Sequence, residues 1–348
     1  MPCSTRSRAS SAPTSFRVAS APASGEDSLI ARYFKPIATD PGAFNLNDDA
    51  AILKALGEDI VVTTDAIVEG VHFLSDDPPE TVARKALRVN LSDLAAKGAT
   101  PAGFVLTLAL RSAEDSWLKP FAAGLGDDAK SFGCPLLGGD TVSTPGPLTI
   151  SITCFGRVPA NKMVQRSGAR PGDRVMVTGT IGDATLGLDI LKGGAVAAAL
   201  ANDEAARQAL IARYRVPQPR NVLAKAVREH AHAAMDVSDG LAGDLTKLCA
   251  ASGVSAAIHS PSIPLSRPAA TLLSRGIVSL ESMISGGDDY EILCAIPEAG
   301  VDAFAQAARK AGVVATTVGA IIAGSAIPSF LDGQGRELPL KRRSFSHF

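Results

Sequence analysis

Aspartates recur in this sequence beside small residues and at the ends of apolar runs. They stand in Asn47-Asp48-Asp49, Thr63-Thr64-Asp65, Ser92-Asp93, Gly138-Gly139-Asp140, Asp236-Val237-Ser238-Asp239 and Gly286-Gly287-Asp288-Asp289. Strand ends and the turns after them are where a rigid scaffold presents functional groups. Asp and Gly also favour turns and helix caps, which accounts for any one cluster taken alone. Asp93 escapes that account. On a helix running from Thr81 to Lys97, Val82, Ala86, Val89 and Asp93 fall in one row. A carboxylate on an apolar row must be paired, hydrogen-bonded or metal-bound. An ion pair with Lys97, one helical turn on, is the plain alternative to a metal.

A chain that gathers many carboxylates needs something to offset their repulsion, or they take up protons. Hard divalent cations prefer oxygen ligands, and Mg2+ is typically held by a few carboxylates, phosphate oxygens and water. Phosphoryl transfer is the chemistry that best uses magnesium with phosphate. Glycines next to the acids let the backbone approach an anion closely. Other chemistries lack their residues. The sequence has no G-x-x-x-x-G-K-[ST] loop, no H-R-D and D-F-G pair, no zinc-spaced Cys/His cluster and no G-x-S-x-G elbow. Gly179-Thr180-Ile181-Gly182-Asp183 before a helix reads as a strand-to-helix turn more readily than as an anion cradle.

The elements that must position these acids alternate in type. Strands are expected over 59–64, ending at Asp65, and over 104–110, 148–155, 174–178 and 290–296. Helices are expected over 81–97, closed by Gly98, and over 118–132, 184–192, 204–214 and 241–251. The mixture predicts an α/β or α+β protein. Its 348 residues suggest two domains, 25–158 and 159–348, joined near Val158–Pro171. Residues 1–24, rich in Ser, Ala, Pro and Arg, read as a disordered extension, with a transit peptide as the alternative. With 34 basic and 35 acidic residues the net charge is −1, which argues against a nucleic-acid binder working by broad attraction. No apolar run approaches the roughly 18 residues of a membrane span. Five cysteines without a C-x-x-C pair fit reduced thiols and a cytoplasmic location.

The segments N-D-D-A (47–50), T-T-D-A-I-V-E-G-V-H-F (63–73), N-L-S-D-L-A-A-K-G-A (90–99), L-G-G-D-T (137–141), R-S-G-A-R-P-G-D (166–173), D-V-S-D-G-L (236–241) and S-G-G-D-D-Y-E (285–291), with Phe345-Ser-His-Phe348 at the end, carry a resemblance. In order and spacing, over about residues 25–348, the chain resembles the thiamine-monophosphate kinase family. The resemblance implies an aminoimidazole-ribonucleotide-synthetase-like fold of two α/β domains. The N-terminal domain would form a homodimer through its sheet, and ATP and several Mg2+ ions would bind in a cleft. The implied reaction converts ATP and thiamine monophosphate to ADP and thiamine diphosphate. Position by position, Asp49, Asp65, Asp93, Asp140, Asp236 and Asp239 match metal-binding acids, and Thr63 and Thr64 match supporting ligands. Gly139, Asp140, Arg166 and Ser238 match ATP contacts, and His72, Asp288 and Phe345 match contacts to thiamine monophosphate. Asp288 stands where the family carries Glu, and Asn47 where it carries Gly. No residue is assigned as a general base, because a phosphate acceptor is already ionised and needs none. Two rivals remain at this point. One is an enzyme of the same superfamily that activates an amide or carbonyl oxygen, although the chain lacks the C-terminal Cys of hydrogenase-maturation relatives. The other is a metal-stabilised protein that binds ATP without turnover.

Overall fold

The structure, a computed structural model, describes residues 28–46 and 53–344. Two sheets organise it. The first contains β1 (Asp59–Val68), β2 (Thr100–Leu110), β3 (Leu136–Ser143) and β4 (Thr149–Val158), in the order β1-β4-β2-β3. β4 runs antiparallel to both β1 and β2, and β3 joins the edge parallel to β2. Alternate residues of β2 and β4 are buried, so one face of this sheet is apolar. Two helices cover that face, α1 (Pro79–Ala96) and α2 (Asp115–Ser131). Leu87, Leu91 and Leu94 of α1 meet Phe104, Leu108 and Phe121 in a core with almost no exposure. The opposite face is open: Val62 is 58% and Val142 44% exposed.

The second sheet has six strands in the order β10-β7-β9-β5-β8-β6. They are β5 (Arg174–Thr178), β6 (Ala233–Asp236), β7 (Ser255–His259), β8 (Ile292–Ile296), β9 (Ala315–Ile322) and β10 (Ser329–Leu331). Its helices are α3 (Asp183–Leu191), α4 (Ala195–Ala199), α5 (Glu204–Arg215), α6 (Ala224–His230), α7 (Leu241–Ser252), α8 (Arg267–Ser274), α9 (Leu280–Ile284) and α10 (Val301–Lys310). β8 is buried at every position, as a central strand covered on both faces must be. α7 packs in the cluster on one face, while α6 and α10 belong to a cluster on the other.

α1 joins the two sheets. Its last alanines, Ala95 and Ala96, pack with Val227, Ala234 and Ile292 of the second half. Its polar side chains reach across too: Arg88 donates to Pro217 O at 2.9 Å and Lys97 to Ala234 O at 2.7 Å, while Leu91 O accepts from Asn221 at 2.9 Å. Arg88 is held in turn by the buried Asp128 of α2.

The mixed two-sheet architecture agrees with the sequence reading, and the element bounds differ in instructive places. β1 does not stop at Asp65; its ladder with β4 continues to Val68↔Thr149, so Asp65 sits inside a strand. α1 begins at Pro79, whose fixed φ suits a first helical turn. β3, β6, β7, β9 and β10 had no expected counterpart. Among the described residues, Cys134, Cys154, Cys249 and Cys294 are free and buried. No helix among them is long and apolar enough to cross a membrane.

Candidate active site

β1, α1, β6 and the loop after β6 bring Asp93, Asp236 and Asp239 within electrostatic reach of Asp65. Thr63 and Asp65 lie on the α1-facing row of β1, and the Thr63 hydroxyl donates to Asp93 Oδ2 at 2.5 Å. The Asp65 amide donates to Asn90 Oδ1 at 3.1 Å, which ties the strand to the same helix. Asp236 ends β6 and is 5% exposed. Burial and the charges of Asp93 and Asp239 push the Asp65 carboxyl from 3.8 to about 6. Burial, with Asp93 and Asp244 beside it, pushes Asp236 well above the usual carboxyl range. Asp65 thus lies within electrostatic reach of Asp93, Asp236 and Asp239. Lys97 contacts Ala234 O; Asp93 takes its hydrogen bond from Thr63.

The loop 236–241 owes its shape to Asp244 in the first turn of α7. This buried carboxylate accepts from the amides of Ser238 and Asp239 at 3.0 and 2.9 Å, and from Lys247 at 2.8 Å. Lys247 also donates to Asp239 at 2.5 Å. An acid in a helix's first turn was the only sequence signal for this support.

Beside the acids opens a cavity of about 700 Å³, whose lining includes Asp65, His72, Tyr214, Ser238, Asp239 and Asp288. His72 Nδ1 accepts from the Val68 amide at 3.0 Å, which places the proton of the neutral ring on Nε2. Asp288 adopts φ 71°, unusual for a residue with a side chain. Its amide donates to Ser238 O at 2.8 Å, and its carboxylate accepts from Lys85 at 2.9 Å and from Tyr290 at 3.3 Å. A Cβ on Gly286 would lie 2.0 Å from Thr185 Oγ1, so this loop can approach α3 only with glycine there. Burial holds the Tyr214 and Tyr290 phenols well above their usual range, so both remain donors.

Other expected site residues lie elsewhere. Thr64 is on the open face of the first sheet, donating to Ile152 O at 3.2 Å and accepting from Thr153. Asp140 pairs with Thr107 on that open face. Three strand spacings separate β3 from β1, about 14 Å at 4.7–4.9 Å per strand. Within one chain, Asp140 is therefore not brought to Asp65. Gly139 has a packing role of its own, since a Cβ there would meet Leu106 O at 1.9 Å. Arg166 is exposed, near enough to help burial lower the Lys97 pKa. Asp49 and Phe345 lie outside the described residues. No three His, Cys, Asp or Glu side chains among the described residues are already close enough to hold one ion.

Two acids beyond the expected set are structural. Glu291, fully buried, accepts from Thr178 at 2.7 Å, Arg213 at 2.8 Å and Arg220 at 2.6 Å. Asp289 accepts from the Gly182 amide at 2.8 and 3.0 Å, at the start of α3. Gly179–Asp183 is thus the strand-to-helix turn expected of it, with the chain's own carboxyl at its mouth. Burial pushes that carboxyl upward, opposed by the Gly182 amide and Arg213.

Residues 47–158 match the AIR synthase related protein, N-terminal domain, and residues 170–330 match the AIR synthase related protein, C-terminal domain. The chain is 43% identical to the thiamine-monophosphate kinase of Caulobacter vibrioides over 324 residues, 91% of this chain and 89% of that one. To the Escherichia coli K12 enzyme of the same name it is 37% identical, covering 94% and 99%. Among solved structures, thiamine-monophosphate kinase from Stenotrophomonas maltophilia superposes with a TM-score of 0.76 at 36% identity, covering 84% of this chain and 91% of that one. AaThiL complexed with AMPPCP and TMP gives a TM-score of 0.72 at 31% identity, covering 86% and 91%. The hydrogenase maturation protein HypE of E. coli, at 18% identity and a TM-score of 0.75, covering 90% and 97%, shares the fold.

Proposed function

This chain belongs to the thiamine-monophosphate kinases of the AIR-synthase-related family, and from that membership we infer that it transfers the γ-phosphoryl group of ATP to thiamine monophosphate, giving thiamine diphosphate and ADP. The observation that carries this reading is that Asp65, within electrostatic reach of Asp93, Asp236 and Asp239, lines with Asp239 a cavity that also presents His72 and Asp288. A relative of the same fold binds AMPPCP and TMP together.

The acceptor is a phosphate and is ionised before it binds. No base has to remove a proton, and the obstacle is bringing two anions together. The acid cluster suits Mg2+ on the chemistry of its donors: hard oxygens only, with Asp65 and Asp236 raised by burial and then by their neighbours' negative charge. Asp65, Asp93, Asp236 and Asp239 would hold the ions, together with Asp49, while the Thr63 hydroxyl fixes the Asp93 rotamer. Held there, Mg2+ would supply charge neutralisation for the phosphate groups. The chain itself binds and orients. Asn90 and Thr63 set the β1 carboxylate row against α1. Asp244 shapes the loop that presents Ser238 to the nucleotide. His72 presents its Nε2 proton as a donor, Asp288 faces the thiamine moiety, and Phe345, outside the described residues, is assigned to it by family match alone. Arg166 and Gly139 serve the nucleotide phosphates. With Asp140 and Thr64 on the open face of the first sheet, these assignments are reconciled most simply by a homodimer packed through that face, with domains at 25–158 and 159–348. Reduced cysteines suit a cytoplasmic enzyme.

The test is a coupled assay for ADP. Formation of ADP should depend strictly on thiamine monophosphate and on Mg2+. Turnover with amide-containing aminoimidazole precursors, and none with thiamine monophosphate, would favour the oxygen-activating rival. Nucleotide binding without turnover on either would favour a binding protein.

A further inference from the structure

Lys85 is the one lysine of the described chain among its largest fully buried side chains, with 2% of its surface exposed. A lysine is almost never found so deep unless it is paired. Its partners come from both halves of the protein. The ammonium donates to His72 O at 2.8 Å, in the turn after β1, and to Asp288 Oδ2 at 2.9 Å, in the loop before β8. It also lies 3.7 Å from the centroid of the Tyr214 ring on α5. Tyr214 donates its own hydroxyl to the same His72 carbonyl at 3.2 Å. All three partners line the cavity, and Lys85 does not.

The arrangement has the form of a clamp. Asp288 is held in a left-handed conformation that an aspartate adopts at some cost, and its half-buried side chain, 25% accessible, needs a fixed partner to keep one orientation. The His72 carbonyl receives two donors, so the turn that carries the His72 ring is fixed by the same lysine and tyrosine. One buried cation thereby sets the spacing between a residue of the first half and a residue of the second.

We propose that Lys85 is the positioning residue of the substrate cavity: its buried ammonium locks the His72 turn and the Asp288 loop into one register, so that both walls of the thiamine monophosphate pocket stand in place before substrate arrives. The proposal rests on the thiamine monophosphate reading above. It concerns Lys85 alone, which does not line the cavity and acts through His72 and Asp288.

The test uses Lys85→Met in the full-length protein, which keeps the length of the side chain and removes its charge and donors. KM for thiamine monophosphate should rise about tenfold or more, with KM for ATP within about threefold of wild type. Amide hydrogen exchange in the absence of ligands should accelerate in two separate segments, 68–73 and 286–290, and not in β8 or α7. A residue of purely structural importance would lower the melting temperature and leave KM of the folded protein and the relative exchange pattern unchanged. Either of those unchanged readouts overturns the proposal. If Lys85→Met melts too low to assay, Asp288→Asn reads the clamp from its other end, because exchange in 68–73, on the far side of the lysine, should still accelerate. Failure of the functional reading is separate: wild type would then show no turnover of thiamine monophosphate, and exchange alone would decide the clamp.

Discussion

Replacing Asp65 with Asn should stabilise the metal-free protein and weaken its response to Mg2+. Asp65 is raised from 3.8 to about 6 by burial and by the charges of Asp93 and Asp239. An acid whose pKa is higher in the folded state binds its proton more tightly when folded. Its ionised form therefore lowers stability above pH 6, and the deficit shrinks as pH falls from 6 towards 3.8. At about 1.36 kcal/mol per pH unit, the gap between the two values amounts to about 3 kcal/mol at pH 7.5, as an upper figure. Asn is nearly isosteric and never ionises, so it removes this deficit. The backbone bond from residue 65 to Asn90 is untouched by the change. For a folded unit of 150–250 residues, 1 kcal/mol moves the melting temperature by roughly 2–4 °C. In EDTA at pH 7.5 the variant should therefore melt about 6–12 °C above wild type. The difference should halve by about pH 5 and fall to about a fifth by about pH 4. An ion that binds only the folded state raises stability by mass action, so Mg2+ should lift wild type more than the variant. Calorimetric scans with EDTA and with Mg2+, at several pH values, read both effects. A variant that melts lower than wild type in EDTA at pH 7.5, or that gains as much from Mg2+, would refute the argument that Asp65 belongs to a cation site.

Asp93→Asn should reduce turnover by about a hundredfold or more while melting no lower than wild type in EDTA, because it removes charge at the acid cluster and repulsion from Asp65 and Asp236 while its amide oxygen still accepts from Thr63. A steady-state assay at saturating Mg2+ with a parallel melting curve checks it. Asp140→Asn, on an exposed strand face, should leave the melting curve within about 1 °C of wild type and reduce turnover by about tenfold or more; full activity would remove Asp140 from the nucleotide site. Glu291→Ala should lower stability by about 3–5 kcal/mol in urea denaturation, because Arg213 and Arg220 lose the buried carboxylate they share. A loss below about 1 kcal/mol would show that the arginines re-solvate freely.

How far the sequence revealed this depended on whether a residue's setting was local. The row Val82, Ala86, Val89 and Asp93 could be read because a helix repeats at fixed intervals, and those three apolar residues are each 2% exposed in the fold. The partner of Asp93 could not be read, because Thr63 reaches it from a strand 30 positions earlier, and only the ladder of β1 on β4 decides that Thr63 faces α1. Pairing also carried β1 beyond Asp65, where a turn was expected at an acid. Gly138-Gly139-Asp140 looked like a turn for the same compositional reason. In fact the glycine allows β3 to press against Leu106 O as a parallel edge strand, a demand made by the neighbour and invisible in the segment itself. The loop 285–291 was singled out for its acids, but their division of labour was hidden. Asp288 faces the cavity, Asp289 meets an amide and Glu291 binds arginines; one dipeptide step changes a side chain's environment entirely. Lys85 gave no signal at all, since an isolated lysine in a helix is ordinarily a solvated one.

The meeting of Asp289 with the Gly182 amide bears on which molecules this protein can accept. A glycine-rich helix start is open to any oxyanion in the cell. Here a covalently tethered competitor already sits on it, at an effective concentration that freely diffusing sulfate or phosphate does not match. Generic anions are thereby denied this stretch of backbone.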